Sequence, residues 1–407
     1  MICGLLGEKL GHSYSPEIHR HLGTYSYALF EKRPDELGDF LKNGNFTGLN
    51  VTIPYKKTVI PYCDELSPTA QRLGAVNTIV KGPDGRLIGH NTDNYGFTSM
   101  LERSGLDPKG KRVLVLGTGG ASATVQAVLQ SKGAKVTVIS RSGVHNYDNM
   151  YRFYSTKIIV NATPVGMYPH NGARLVDLSR FSQLEGVLDL IYNPSKTQLL
   201  LDAEARNLVA VNGLWMLVAQ AKESAEWFLN QSLHDGIIQS TYYTLRNEME
   251  NIVLIGMPGC GKSTVGLILA KELSRRFVDT DVEITKKIGM SIPEYFAKFG
   301  EKMFRQVETE VISEISKESG LVISTGGGCV TQERNYPLLH QNSRVIWLDR
   351  SLWLLPTNGR PLSQQNSVFD LYEQRKPCYM HFADYIVDNN RTPEEAVASI
   401  ICMEGKI

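Results

Sequence analysis

The sequence predicts an α/β protein built on parallel sheets, and three stretches carry that expectation. Across the first 92 residues, short apolar runs alternate with helix-starting residues, the pattern of strands feeding helices. The run Lys111 to Gly117 reads as a buried strand and opens directly into Gly117-Thr118-Gly119-Gly120-Ala121-Ser122. Asn251 to Ile255 does the same into Gly256-Met257-Pro258-Gly259-Cys260-Gly261-Lys262-Ser263, with a helical stretch from Lys262 to Leu273 behind it. A glycine turn between strand and helix aims backbone N–H groups and a helix N-terminus at a phosphate.

Composition narrows the function. The 407 residues suffice for two or three domains with ample core. Forty-three Lys and Arg balance 42 Asp and Glu, a net charge of +1. Without a basic stripe or an acidic tail, no nucleic-acid partner is expected, and small anions in local pockets fit better. No apolar run approaches the roughly 20 residues of a membrane span, so no membrane partner is expected. Met1-Ile2-Cys3-Gly4 lacks the charged-then-apolar pattern of a signal peptide, and the six scattered cysteines form no C-x-x-C. A cytoplasmic chain with reduced thiols is expected. His19-Arg20-His21 has no carboxylate or cysteine partner in register, so a structural role is expected there.

In the first 92 residues, Ile2–Leu6, Ser26–Phe30 and Gly48–Thr52 read as strands. Ser15-Pro16-Glu17-Ile18-His19 is a helix start, with proline where a missing N–H costs nothing. Pro34–Lys42 reads as a second helix, and Pro83-Asp84-Gly85 as the turn of a hairpin between Asn77–Val80 and Leu87–His90. Polar clusters fall where strands end. Gly11-His12-Ser13-Tyr14-Ser15-Pro16 offers two hydroxyls at a helix N-terminus, a cradle for a carboxylate. Asn50-Val51-Thr52-Ile53-Pro54-Tyr55-Lys56 puts a lysine just past one strand, and Asn91-Thr92-Asp93 follows another.

The turn at Gly117 is that of a dinucleotide fold, with Ser122 at the third glycine position. The next strand, Lys135–Ile139, ends in Ser140-Arg141-Ser142. A carboxylate there would accept the ribose 2′-hydroxyl of NAD, whereas arginine clamps a 2′-phosphate; NADP is the expected cofactor. Gly143-Val144-His145 brings no second clear cation, which softens that preference.

Taken together, these runs resemble the shikimate dehydrogenase family. Its H-S-x-S-P, N-V-T-x-P-x-K, G-A-V-N-T and N-T-D patterns read here as His12–Pro16, Asn50–Lys56, Gly74–Thr78 and Asn91–Asp93, in family order. Asn161-Ala162-Thr163-Pro164-Val165-Gly166-Met167, Asp189 to Pro194 and Gly213 to Ala221 continue the resemblance to about residue 230. The resemblance implies that Ser13, Ser15, Thr52, Asn77, Tyr192 and Gln220 hold the substrate. It implies a catalytic pair, Lys56 and Asp93, with Gly213 and Met216 near the nicotinamide and Gly117, Gly119, Gly120, Ala121, Ser140, Arg141 and Ser142 on the cofactor. The chemistry agrees. Hydride reduction of a ketone makes an alkoxide, which needs a proton and a nearby cation. Whether lysine gives the proton or only clamps the charge stays open at this stage.

Leu214–Leu229 and Gly236–Asn247 read as helices, and no Pro-, Gly- or Ser-rich spacer separates them from Asn251, so the join falls near Glu248-Met249-Glu250. The stretch Gly256 to Ser263 is G-x-x-x-x-G-K-S/T, the P-loop: Lys262 would reach the β/γ-phosphates of ATP, and the Ser263 hydroxyl would take a Mg²⁺ position. Asp279-Thr280-Asp281 puts two acids at a strand end beside it. With Gly300 to Glu308, Leu321 to Gly328, Arg360-Pro361-Leu362 and Arg375 to Tyr379, residues 251 to about 402 resemble shikimate kinase. The resemblance implies that Asp281 binds ring hydroxyls, that Arg305 and Arg375 bind the carboxylate, and that Gly326, Gly327 and Gly328 line the pocket. Asp279 would support Mg²⁺ or act as base, and Arg360 would close over the phosphates from a lid. Gly256, Gly259, Cys260, Gly261, Lys262, Ser263 and Thr264 would hold the nucleotide, with Arg391 in the adenine loop. The stretch from Asp349 to Arg360 is shorter than the usual lid approach, and Leu355-Pro356-Thr357 stands where that family tends to carry an arginine facing the adenine.

The expected organisation is an α/β substrate domain over 1–92, completed by helices in 214–247, then a Rossmann domain over 93–213 and a P-loop kinase domain with a parallel sheet over 251–407. The expected activities are reduction of 3-dehydroshikimate to shikimate and phosphorylation of shikimate. A quinate/shikimate dehydrogenase preferring NAD is the enzyme alternative. A sensor that kept both folds should have lost Lys56, Asp93, Lys262 or Arg305, and all four are present.

Overall fold

The computed structural model describes residues 1–11, 13–355 and 368–404. They form two compact units. The first takes Met1–Val165, Arg174–Tyr192 and Asp202–Leu245; the second takes Gly166–Ala173, Asn193–Leu201 and the chain from Arg246 onward.

The first unit opens with β1 (Ile2–Gly7), α1 (Ser15–Leu22), β2 (Ser26–Glu31), α2 (Leu37–Asn43), β3 (Gly48–Val51), β4 (Glu65–Leu66), α3 (Pro68–Leu73), β5 (Thr78–Lys81) and β6 (Leu87–His90). Their sheet runs β2-β1-β3-β5-β6-β4 and is mixed: β1 lies parallel to β2 and β3, while β5 is antiparallel to both β3 and β6. The hairpin expected at Pro83-Asp84-Gly85 joins β5 to β6, with Gly85 at a positive φ of 83°. α2 begins at Leu37, three residues later than Pro34; Glu36 N donates to Arg33 O at 3.0 Å and closes a separate turn first. Ser15 is the first helical residue of α1, with Tyr14 at its N-cap.

A second sheet follows: α4 (Asp93–Ser104), β7 (Arg112–Leu116), α5 (Gly120–Ser131), β8 (Lys135–Ile139), β9 (Ile158–Asn161), β10 (Gly186–Asp189), α6 (Gln198–Glu204) and β11 (Val209–Val211). Its five strands are all parallel, in the order β11-β10-β9-β7-β8. The order reverses at β7, and such a switch point opens a crevice at the carboxyl ends of the strands. The turn after β7 falls there. Long helices α7 (Leu214–Leu229) and α8 (Gly236–Met249) close this part of the chain.

The second unit holds β12 (Asn251–Ile255), α9 (Lys262–Glu272), β13 (Arg276–Asp279), α10 (Thr280–Ile288), α11 (Ile292–Ile315), β14 (Leu321–Ser324), α12 (Asn335–His340), β15 (Ser343–Asp349) and β16 (Tyr385–Asp388), with helices Val368–Phe382 and Pro393–Glu404 around β16. This sheet is also parallel, in the order β13-β14-β12-β15-β16. β12 lies in its middle, so all five of its residues are buried. Each fully buried Val, Leu or Ile there contributes about 1.5–3 kcal/mol relative to exposure. That rigid strand fixes where the P-loop begins. Two loops that follow strands of the second sheet also belong to this unit: Ser195 N donates to Asn342 Oδ1 at 2.7 Å and Asn171 Nδ2 to Gln341 Oε1 at 2.7 Å. Among the described residues, no helix is long and apolar enough to cross a membrane.

Candidate active sites

The first unit contains a cavity of about 250 Å³ lined by Ser13, Ser15, Thr52, Lys56, Asn77, Asp93, Tyr192 and Gln220, all expected from sequence, with Ala121, Gly213 and Met216 from the expected cofactor set. His12 lies outside the described residues. Lys56 stands just past β3, and Asp93 is the first residue of α4. Lys56 Nζ donates to Asp93 Oδ2 at 2.6 Å. Asn77 Nδ2 donates to the other oxygen, Asp93 Oδ1, at 3.0 Å, while its own Oδ1 accepts from Thr92 N at 2.7 Å. The carboxylate is thus held by two donors, and its tilt toward the lysine is fixed from behind.

A buried hydroxyl network supports this pair. Ser224 of α7 is within 2.8 Å of Thr78 Oγ1 and 2.9 Å of Thr92 Oγ1, and it accepts from Asn50 Nδ2 at 2.8 Å. Tyr27 Oη donates to Asn50 Oδ1 at 2.7 Å. Ser224 carried no signal in the sequence, because the side chains it meets, Asn50, Thr78 and Thr92, are more than 100 positions away. Asn50 and Thr92 stood inside the quoted runs without an assigned role. Burial raises the Tyr192 phenol, with Tyr14 adding to the effect, which keeps a neutral hydroxyl donor on the cavity wall. Burial also pushes the Glu223 carboxyl up to about 7, reinforced by Glu226 and Asp93 and opposed by Lys222; its Oε2 has no hydrogen-bond partner among the described residues.

On the cofactor side, Gly117 N donates to Ile139 O at 2.8 Å, which ties the glycine turn to the end of β8 where Ser140 and Arg141 follow. Gly117 has φ +102°, and a Cβ there would stand 2.7 Å from Thr163 Cγ2, so only glycine fits without strain. A Cβ at Gly119 or Gly120 would meet nothing within 4 Å, which leaves the start of α5 open for a polyphosphate. Arg141 is exposed beside Tyr147, and Ser140 pairs with Asn146 across the loop. Gly117, Gly119, Gly120, Ser140, Arg141 and Ser142 do not line the 250 Å³ cavity. Gly213 caps α7 against the Leu190 carbonyl, a contact that leaves no room for a side chain.

The second unit contains a cavity of about 520 Å³ lined by Gly259, Gly261, Lys262, Ser263, Thr264, Asp279, Asp281, Arg305, Gly326, Gly327, Gly328 and Arg375. Of the expected nucleotide set, Gly256 and Cys260 do not line it. Cys260 is fully buried beneath the loop, and a Cβ on Gly256 would stand 2.9 Å from its sulfur. Arg391 is exposed and faces Glu395 at 3.4 Å. Arg360 lies outside the described residues.

Lys262 Nζ donates to Gly256 O at 2.9 Å and Met257 O at 3.0 Å. Ser263 Oγ donates to Asp279 Oδ2 at 2.7 Å, while Asp279 Oδ1 caps α10 by accepting from Asp281 N at 3.0 Å. Hydroxyl and carboxylate oxygens side by side suit Mg²⁺, a hard ion that takes a few protein oxygens and fills its shell with water and phosphate. Arg305 lies on α11 after a break at Gly300, φ 77°. It pairs with Glu308 at 2.8 Å and Glu301 at 3.0 Å. Glu308 lines the cavity and was missed as a site residue, although Arg305-x-x-Glu308 is the spacing that stacks two side chains on one helix face. Burial raises its carboxyl, and Arg305 opposes that shift. Asp281 Oδ1 and Glu308 Oε1 each lie 2.9 Å from where a Gly326 Cβ would stand, so the glycine run lets two carboxylates reach the cavity. Gly327 O accepts from Arg375 Nη1 at 3.1 Å and from Tyr379 Oη at 2.5 Å. Ile292, Pro293, Phe296 and Phe304 supply an apolar wall that no motif announced.

Fold and sites define two nucleotide-dependent enzyme classes: an oxidoreductase with a dinucleotide turn and a P-loop phosphotransferase. Comparison with known proteins narrows both. The family model for the shikimate dehydrogenase substrate binding domain matches residues 5–79, and the shikimate kinase model matches residues 258–404. The NADP(+) shikimate dehydrogenase of Clostridium perfringens is 37% identical over 247 residues, 55% of this chain and 91% of that one. Among solved structures, shikimate dehydrogenase 1 from Peptoclostridium difficile is 36% identical, with a TM-score of 0.56 over 60% of this chain and 97% of the other. A chorismate mutase/shikimate 5-dehydrogenase fusion from Clostridium acetobutylicum is 37% identical, with a TM-score of 0.57 over 60% of this chain and 96% of the other. The shikimate 5-dehydrogenase of Thermus thermophilus, in complex with NADP(H) and shikimate, is 30% identical, with a TM-score of 0.55 over 60% and 99%. The chain belongs to the shikimate dehydrogenase family and carries a shikimate kinase domain after it, two shikimate-pathway enzyme domains on one polypeptide.

Proposed function

We propose that the chain reduces 3-dehydroshikimate to shikimate with NADPH in its first unit and phosphorylates shikimate with MgATP in its second. The observation that carries the first half is the Lys56–Asp93 contact at 2.6 Å inside a cavity that also presents Ser13 and Ser15. The two serine hydroxyls would hold the substrate carboxylate at the start of α1, and Thr52, Asn77, Tyr192 and Gln220 would hold the ring hydroxyls. NADPH supplies the hydride. Lys56 meets the oxygen on which charge develops and delivers the proton, while Asp93 holds the ammonium in place. Arg141 and the flanking serines take the 2′-phosphate.

In the second unit, Arg305 and Arg375 would take the carboxylate of shikimate and Asp281 its ring hydroxyls, with Gly326 to Gly328 as the floor. MgATP supplies the phosphoryl group. Lys262 would neutralise the phosphate charge, and Ser263 and Asp279 would hold Mg²⁺. We take 1–92 with helices in 214–247 as the substrate part, 93–213 as the dinucleotide part and 251–407 as the kinase part, in a cytoplasmic enzyme whose cysteines are free thiols. Separate assays test the reading: NADPH oxidation with 3-dehydroshikimate, and ADP release with shikimate and MgATP. A chain active in only one of them would leave the other half of the proposal false.

A further inference from the structure

β15 ends at Asp349, whose carboxyl is governed by burial and by Lys376 and Asp388. The next residue, Arg350, has none of the roles given above. Its Nη1 lies 3.5 Å from where a Cβ would stand on Gly261, the residue that caps α9 in the P-loop. Its Nε is buried and has no hydrogen-bond partner among the described residues. Asn389 reaches the same glycine: its Nδ2 is 2.9 Å from that Cβ position and donates to Cys260 O at 2.6 Å. Ser351 N donates to Asn390 Oδ1 at 2.7 Å. The guanidinium therefore stands where the P-loop turn, the end of β15 and the loop after β16 converge.

A guanidinium has five N–H donors in a rigid fork, and an unmet buried donor is costly unless a ligand supplies the acceptor. A polyphosphate held by the P-loop would pass beside this turn, and a planar fork is suited to phosphate oxygens. We infer that Arg350 is a nucleotide-binding residue of the second unit, whose guanidinium holds the adenosine 5′-phosphate end of ATP. The inference rests on the P-loop reading above and adds a ligand contact to it.

Arg350→Ala and Arg350→Lys in the full chain test it. The alanine variant is expected to raise the KM for ATP and the dissociation constants of ADP and AMP by roughly tenfold or more, the scale of one charge-assisted contact. The KM for shikimate and the reduction of 3-dehydroshikimate should stay as in the unaltered chain. Arg350→Lys should recover part of the loss, since it keeps the charge without the fork. Where alanine impairs folding, Arg350→Gln replaces it, with the ADP-induced rise in melting temperature as readout. Unchanged ADP and AMP binding in a folded variant overturns the inference, while the P-loop reading stands if Lys262→Met is inactive. Loss of tripolyphosphate binding with AMP binding intact also overturns it, because the cation would then serve the outer phosphates. Phosphoryl transfer retained by Lys262→Met overturns both readings.

Discussion

The two cavities hold their key lysines in opposite ways. In the first unit Lys56 is already engaged with a carboxylate at 2.6 Å, and Asn77 grips that carboxylate from the other side. In the second unit Lys262 contacts neutral partners, the Gly256 and Met257 carbonyls at 2.9 and 3.0 Å. The acids of the second cavity serve other groups: Asp279 takes Ser263, and Glu308 takes Arg305. The difference matches the proposed chemistry. A lysine that must hold and give a proton is wired to a fixed counter-charge. A lysine that must receive a phosphate is held only by dipoles, so the incoming anion takes the ammonium without breaking an ion pair.

The largest test of this contrast is Lys262→Met, which should bring phosphoryl transfer to background and leave reduction of 3-dehydroshikimate intact, because the transferred group loses its main protein cation. Kinase turnover near that of the unaltered chain would remove Lys262 from the site. Lys56→Met comes next. Dehydrogenase turnover should fall by roughly 10²-fold or more, the scale for losing a proton-transfer or oxyanion partner, with the kinase unaffected. A near-normal reduction rate would take Lys56 out of the mechanism.

Arg141→Ala should be smaller and selective. The KM for NADPH is expected to rise by roughly 10- to 150-fold, the equivalent of about 1.5–3 kcal/mol, with a much smaller change for NADH. Equal changes would mean that Arg141 does not read the 2′-phosphate.

The smallest effect concerns pH and a carboxyl that feels the charge of Asp93. Glu223 is pushed up to about 7 by burial, with Glu226 and Asp93 adding and Lys222 opposing. A carboxyl raised in the fold favours the protonated native state. Its contribution is therefore fully present below the unfolded carboxyl value and is lost as pH climbs through about 7. Glu223→Gln should raise the melting temperature of the first unit by a few degrees at pH 8 and leave it unchanged at pH 4. A melting difference independent of pH would show that Glu223 does not titrate in this range.

Much of both sites was legible because the residues cluster at strand ends in short runs. Each run needs only its own local order to be recognised, so Lys56, Asp93, Asp281 and Arg305 could be named from sequence and all line cavities. What stayed hidden was made by contacts between distant positions. Ser224 joins three side chains drawn from β3, β5 and the residue before α4. Tyr379 reaches back 52 positions to Gly327. Gly256 and Cys260 fit the P-loop pattern, yet only folding shows that they pack under the loop and not into the cavity. The start of α2 was misplaced for a local reason: a backbone-closed turn over residues 33–36 precedes the helix. The grouping of Gly166–Ala173 and Asn193–Leu201 with the second unit likewise depends on partners such as Asn342 and Gln341.

The central claim is that one chain carries two complete reactions in series. The direct measurement supplies 3-dehydroshikimate, NADPH and MgATP to the purified chain and to the Lys56→Met and Lys262→Met variants, and follows shikimate and shikimate 3-phosphate. The unaltered chain should consume NADPH and accumulate shikimate 3-phosphate. Lys262→Met should stop at shikimate, and Lys56→Met should form the phosphate only when shikimate is added. No shikimate 3-phosphate from the unaltered chain, or its formation from 3-dehydroshikimate by Lys56→Met at the unaltered rate, would contradict the account.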